Sequence, residues 1–147
     1  MQHVGRYEVI DVLGEGGMGQ VLRAWDPKLQ QHVALKVINP ALMGKQKVQV
    51  RAARELNVML SLRSHPNIVT VLDYVEEPFA LVMELLEGEE LADVIARNPQ
   101  GMSVDMIYET GMAMVGALGF AHEKQILHRD MKPGNVMVMT FGQKHEI

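Results

Sequence analysis

Strand-like apolar runs separated by turn formers fill the first 38 residues, and the apolar spacing then becomes helical. Tyr7-Glu8-Val9-Ile10-Asp11-Val12-Leu13 reads as a strand, the glycines of 14–19 as a turn, and 20–25 as a second strand. Asp26-Pro27 breaks that strand. A third strand over 32–38 places Ala34 and Lys36 on one face and Val33, Leu35 and Val37 on the other. The opening is therefore an antiparallel meander. Over 45–62, Val48, Ala52, Leu56, Met59 and Leu60 form one helical stripe with Glu55 at its edge. His65-Pro66-Asn67 ends that helix, and strands are expected over 68–75 and 79–83. A short helix fits 91–97, and Ser103 can cap a long one over 104 to about 124. Val136-Met137-Val138 reads as a final strand.

The long helix is apolar almost all round. Val104, Ile107, Tyr108, Met112, Val115 and Leu118 make one stripe, and Met106, Ala113, Met114, Ala117, Phe120 and Ala121 line the other side. Such a helix calls for cover on every side, and the 23 residues after it are too few to supply that cover. Self-association through helix 104–124 is the expected consequence.

Composition narrows the choices. The 147 residues are 48% hydrophobic and 22% charged, as in ordinary folded domains. A net charge of −4 gives no basis for a nucleic-acid partner. The absence of cysteine excludes disulfides, thiol nucleophiles and cysteine-based zinc sites. The N-terminus has no apolar signal region and no run reaches membrane-spanning length, so a cytoplasmic location is expected, with a downstream anchor left open. The twelve methionines read as core filler.

Three segments carry chemistry. Gly14-Glu15-Gly16-Gly17-Met18-Gly19 is followed by strand-like Val21-Leu22-Arg23-Ala24, not by a helix, which favours a hairpin lid over phosphates. Glycines let peptide N–H groups approach phosphate oxygens closely. Lys36, on the next strand, can reach beneath the lid, and Glu55 is its natural counter-ion. In His128-Arg129-Asp130-Met131-Lys132-Pro133-Gly134-Asn135, Asp130 can accept a hydroxyl proton and Lys132 can neutralise a transferring phosphoryl group. Asn135 offers an oxygen to Mg²⁺. His128 reads as a packing residue.

These motifs together resemble the protein kinases, and most of all the bacterial serine/threonine kinases related to eukaryotic ones. The resemblance runs from Tyr7 to Val138. It implies an α+β, protein-kinase-like fold: a complete N-lobe over 7–86, with a five-stranded antiparallel sheet and one αC-type helix, and the first part of a helical C-lobe over 87–147. It implies ATP and Mg²⁺ as cofactors, a protein serine or threonine as acceptor, and Lys36, Glu55, Asp130, Lys132 and Asn135 as the catalytic set, with Asn135 on the metal. Nucleotide contacts fall on Leu13, Gly14, Glu15, Gly16, Gly17, Met18, Gly19 and Lys36, and on Val21, Ala34 and Met137 about the adenine. Met83 falls at the gatekeeper, Glu84 and Leu86 in the hinge, and Glu90 at the ribose. Lys132 matches the serine/threonine subclass, while Met131 stands where leucine is usual.

The family's second metal ligand, the aspartate of Asp-Phe-Gly, has no counterpart in this sequence, since Thr140-Phe141-Gly142 brings no charge. Weak or absent activity of the isolated chain is therefore expected. Three readings stand at this stage: a piece of an active kinase, an ATP-binding pseudokinase, or an interaction fragment without nucleotide.

Overall fold

The computed structural model describes residues 2–16, 19–39 and 46–139, with the side chains of 46–49, 51–53 and 55 outside that description. The chain forms two compact units, Met1–Leu85 and Leu86–Ile147.

The first unit is an antiparallel sheet of β1 (His3–Val4), β2 (Tyr7–Gly16), β3 (Gly19–Asp26), β4 (Gln31–Ile38), β5 (Val71–Val75) and β6 (Ala80–Glu84), ordered β1-β2-β3-β4-β6-β5. Helix α1 (Gln46–Leu62) connects β4 to β5. The sheet thus adds one short strand, β1, to the five that alternation predicts. Two residues hold too little pattern to be read, but Gly5 at φ +57° turns the chain back on β2.

Register follows the alternation of β4. Leu22 and Ala24 of β3 pair with Leu35 and Val33, and Val82 and Ala80 of β6 pair with Leu35 and Val37. This face, with Val4 and Tyr7, makes the core, where Val33, Leu35, Ala24 and Ala80 are fully buried. In α1, Leu62 is buried while Leu60 is 38% exposed, so the inward stripe ends on Leu62 and not, as its spacing suggested, on Leu60. The other stripe positions at Val48 and Ala52 lie outside the described side chains.

Side chains tie the start of β2 and the turn before it to the outer strand β5. Tyr7 donates its hydroxyl to Asp73 at 2.8 Å. The Arg6 guanidinium spans both Asp26, at 3.2 and 3.1 Å, and Asp73, at 2.8 Å. It also lies 4.5 Å from the centroid of the Tyr7 ring. Asp26 is buried, and its Oδ1 accepts from the Lys28 and Leu29 amides as well. Among the described residues every buried side-chain nitrogen and oxygen has a partner.

The second unit is smaller. Strand β7 (Gly88–Glu90) pairs with β8 (Met137–Met139), and α2 (Leu91–Ala96) follows β7 directly. The Leu91 amide donates to the Val136 carbonyl at 2.8 Å, which ties the helix start to the strand. A Cβ at position 88 would overlap the Val138 carbonyl, so only glycine permits that pairing. Helix α3 (Val104–Glu123) is capped by Ser103, whose hydroxyl accepts from the Met106 amide at 3.2 Å. Its Val104, Ile107, Tyr108, Met112 and Val115 are all more than half exposed, and Ala121 is its buried residue. Among the described residues no helix is long and apolar enough to cross a membrane.

The Arg6 network has an acid signature. Hydrogen bonds from Arg6 and from the Lys28 and Leu29 amides hold the Asp26 carboxyl below its usual range against desolvation. Burial pushes Asp73 up, but the Tyr7 hydroxyl, the Tyr74 amide and Arg6 outweigh it, and the net direction is down. Carboxyls depressed in the folded state stabilise it fully above their unfolded value near pH 4 and lose that contribution as pH falls through their lower folded values. The melting temperature should therefore hold level from about pH 8 to 5 and fall below about pH 4. Asp26→Asn should flatten this acid limb and cost about 2 kcal/mol at neutral pH, less than for a fully buried pair because Arg6 keeps partial access to water. Melts of both proteins across that range check this.

Candidate active site

In the first unit the glycine hairpin is the end of β2 and the start of β3. Gly14 pairs with Val21, Glu15 with Gln20, and Gly16 with Gly19. Gly17 and Met18 lie outside the described residues. The glycines are not equivalent. A Cβ on Gly14 or Gly16 would meet nothing within 4 Å, so these backbones are open to an incoming group. Gly19 has φ +148°, and a Cβ there would overlap the Val37 carbonyl oxygen of β4. Its glycine is required by the sheet itself.

A cavity of about 300 Å³ is lined by Gly16, Gly19, Gln20, Val21, Lys36, Val37 and Ile38. A neighbouring one of about 230 Å³ adds Glu15 and Asn39. Lys36 therefore stands in the wall beneath the hairpin. Val21 pairs with Lys36, Ala34 with Met83, and Lys36 with Leu81. Cross-strand partners share a face, so Val21, Ala34, Lys36 and Met83 occupy one face of the sheet, opposite the core. Glu84 lies on the core side as the partner of Val33, and its carboxylate accepts from the Thr70 amide at 2.6 Å. Its side chain is thus engaged within the sheet. Leu13 is the residue without a register partner inside the β2 irregularity between Val12 and Gly14, and it is half exposed. The Glu55 side chain, expected opposite Lys36, lies outside the described residues.

In the second unit the loop before β8 is held by its own side chains. The Asn135 amide nitrogen donates to the Asp130 carbonyl at 2.7 Å and to its carboxylate at 3.2 Å. Lys132 Nζ is 3.3 Å from the same carboxylate oxygen. The Asp130 amide donates to His128 Nδ1 at 3.3 Å, a structural use of that imidazole. Arg129 takes φ +63°, a left-handed conformation rare outside glycine, which turns the chain sharply ahead of Asp130. The Lys132 hydrogen bond first, and Asn135 second, hold the exposed Asp130 carboxyl below its usual range. Glu90 and Met137 face each other across the β7–β8 ribbon. Leu86 begins this unit, half-buried.

The donor set bears on magnesium. Among the described residues no group of three or more histidines or acids could hold a metal ion. With the Asn135 nitrogen spent on Asp130, its side-chain oxygen is the donor that suits Mg²⁺, which binds readily through few protein oxygens plus phosphates. The residues fit a metal carried in by a nucleotide.

Reading the motifs alone left out Gln20, Val37, Ile38 and Asn39 as cavity walls. The usable signal was the pairing of the hairpin with β4, which carries Gly19 opposite Ile38.

Comparison with known proteins identifies the family. The family model described as the protein kinase domain matches residues 7–145. The chain belongs to the protein kinase family. It is 37% identical over 148 residues to the serine/threonine-protein kinase PksC of Streptomyces coelicolor, covering 94% of this chain and 26% of that one. It is 33% identical over 137 residues to the carbon catabolite-derepressing protein kinase of Saccharomyces cerevisiae, covering 92% of this chain and 21% of the other. The crystal structure of the Mycobacterium tuberculosis PknI kinase domain superposes with a TM-score of 0.77 at 30% identity, over 94% of this chain and 57% of that one. The chain thus spans about a quarter of the length of these curated relatives.

The two kinds of glycine separate in a melt. Gly19→Ala should lower stability by about 1–3 kcal/mol through the forced φ and the clash with Val37. Gly14→Ala, with open space around it, should stay within about 0.5 kcal/mol of the parent.

Proposed function

We propose that this chain carries the nucleotide-binding and phosphoryl-transfer machinery of an ATP-dependent protein serine/threonine kinase. The observation that carries the reading is the catalytic loop, where one carboxylate is hydrogen-bonded to both an ammonium and an amide within six positions of sequence. On this reading residues 7–86 act as the nucleotide-binding lobe and 87–147 supply the hinge exit and catalytic loop.

The first unit provides the lid, with the open backbones of Gly14 and Gly16 toward phosphate and Lys36 as the cation of the cavity wall. Val21, Ala34 and Met137 provide apolar surface for the adenine, and the Glu84–Leu86 backbone its hydrogen bonds. Glu90 is assigned to the ribose. In the second unit Asp130 orients the acceptor hydroxyl and takes its proton, and Lys132 offsets charge on the transferring group. Asn135 would hold Mg²⁺, which when bound neutralises charge on the phosphates.

Transfer of labelled phosphate from Mg-ATP to a serine-containing basic protein tests this. Asp130→Ala should reduce it by about 10²–10⁴-fold without lowering nucleotide affinity. Lys36→Met should weaken Mg-ATP binding itself. Tight binding with no transfer above the Asp130→Ala level would leave a nucleotide-binding module, and no binding at all would end the proposal.

We also propose that the exposed stripe of α3 makes the chain self-associate. Val104, Ile107, Tyr108, Met112 and Val115 recur at helical spacing and are all more than half exposed. Burying one such side chain is worth about 1.5–3 kcal/mol. Sedimentation should show mass rising with concentration, and Ile107→Glu with Val115→Glu should return the protein to a monomer with its helix content intact.

A further inference from the structure

We infer that Arg6, Tyr7 and Asp73 are positioning residues for the glycine hairpin, acting through a side-chain clasp that closes the seam of the sheet. The inference rests on the hairpin being a phosphate lid, as proposed above.

The sheet order leaves β1 and β5 as outer strands, and no backbone ladder among the described residues joins them. Hydrogen bonds between side chains cross the seam beside the apolar packing of Val75. Asp73 Oδ2, on β5, receives both the Tyr7 hydroxyl and Arg6 Nη1 at 2.8 Å. The same guanidinium grips Asp26 through two nitrogens. Tyr7 is the first residue of β2 with Arg6 in the turn just before it, and Asp26 is the last residue of β3. These are the two roots of the hairpin whose far end carries Gly14 to Gly19. The clasp therefore joins both roots to each other and to β5, which pairs with β6 and so with the strand carrying Met83. Gly5 completes the closure: its φ is +57°, and a Cβ there would crowd Val75 of β5 at 3.2 Å.

Leverage turns this anchorage into positioning. Seven or eight residues separate root from tip, about 25 Å of strand. A swing of five degrees at the root moves the tip by about 2 Å, and misplacement by 1 Å is already costly to phosphoryl transfer. Backbone pairing between β2 and β3 runs from Glu8 to Gly16 but is interrupted twice, at Val9/Asp11 and Val12/Gly14, which weakens the ladder between root and tip. The clasp adds side-chain bonds at the root of β2, where they tie it to β5. The Asp26 hydrogen bond chiefly raises Arg6, and burial first and then the Asp73 hydrogen bond raise Tyr7.

Tyr7→Phe isolates the effect. It keeps the buried ring and its stacking with Arg6 and deletes one hydroxyl. In the purified protein, amide exchange followed by mass spectrometry should accelerate about tenfold over residues 9–19. Amides of β4 and β6 should keep the parent's rates. Asp73→Asn, at a partly exposed position, should reproduce this pattern, and Arg6→Lys should fall between parent and Tyr7→Phe. The Kd for Mg-ATP should rise about tenfold in Tyr7→Phe. Exchange that rises uniformly across β2 to β6 in step with a lower melting temperature would reduce the clasp to general stability and overturn the inference. Unchanged exchange over 9–19 in both Tyr7→Phe and Asp73→Asn would overturn it as well. A parent protein that binds no Mg-ATP would remove the lid reading alone, and the exchange comparison would still decide whether the clasp governs the hairpin.

Discussion

An ammonium left unpaired in a hydrocarbon core is too costly to persist, and that constraint holds β4 in register. Lys36 stands between Leu35, which is fully buried, and Val37, which packs against the core. A slip of one residue would turn Lys36 toward Leu22 and Val82 and turn Leu35 out. Core packing and the placement of Lys36 are thus one fact seen from two faces. Because β3 and β6 flank β4, the same register carries Val21 and Met83 to the face of Lys36, and Ala24 and Val82 to the other. No separate device is needed to gather those residues.

The second unit gathers its residues differently. Asp130 draws its partners from positions 128, 132 and 135, so the loop builds its geometry out of its own sequence. The surrounding elements fix where the loop ends. Gly88 lets β7 approach Val138, and the Leu91 amide bonds to Val136, so the strand that follows Asn135 cannot slide along the ribbon. Glu90 stands opposite Met137 as a result.

Legibility in the sequence followed sequence separation. The side-chain contacts of the loop around Asp130 were readable because its partners lie within seven residues of one another. The strands β2 to β6 were readable because alternation is local, and α3 because Ser103 caps an uninterrupted run. The Tyr7–Asp73 bond spans 66 residues and the Arg6–Asp26 pair 20, and nothing at either end marks the partner. Asp26 reads as a turn former beside Pro27, and it is one, through Lys28 and Leu29. Its second use, on Arg6, appears only once the sheet curls. β1 and β7 escaped notice because two and three residues carry no period. Gly19 was legible as a glycine that matters but for a different reason, since its demand comes from the Val37 carbonyl of β4.

The charge arrangement around Asp130 bears on what that carboxylate can do in the proposed reaction. A general base works best with a pKa near the working pH. Lys132 and Asn135 move Asp130 the other way. A loop selected for proton abstraction alone would not set an ammonium against its base. Phosphoryl transfer makes a different demand: its loose transition state spreads negative charge over the transferring group, and proton removal is a small part of the barrier. In that setting Lys132 is more useful facing the phosphoryl group than removed to spare the basicity of Asp130. Asp130 then serves first as an ionised acceptor that aims the hydroxyl, with the proton following. The ion pair also favours the charged form of the carboxylate, the form the proposed aiming role needs. The pairing that weakens the base thus secures the orientation on which transfer depends.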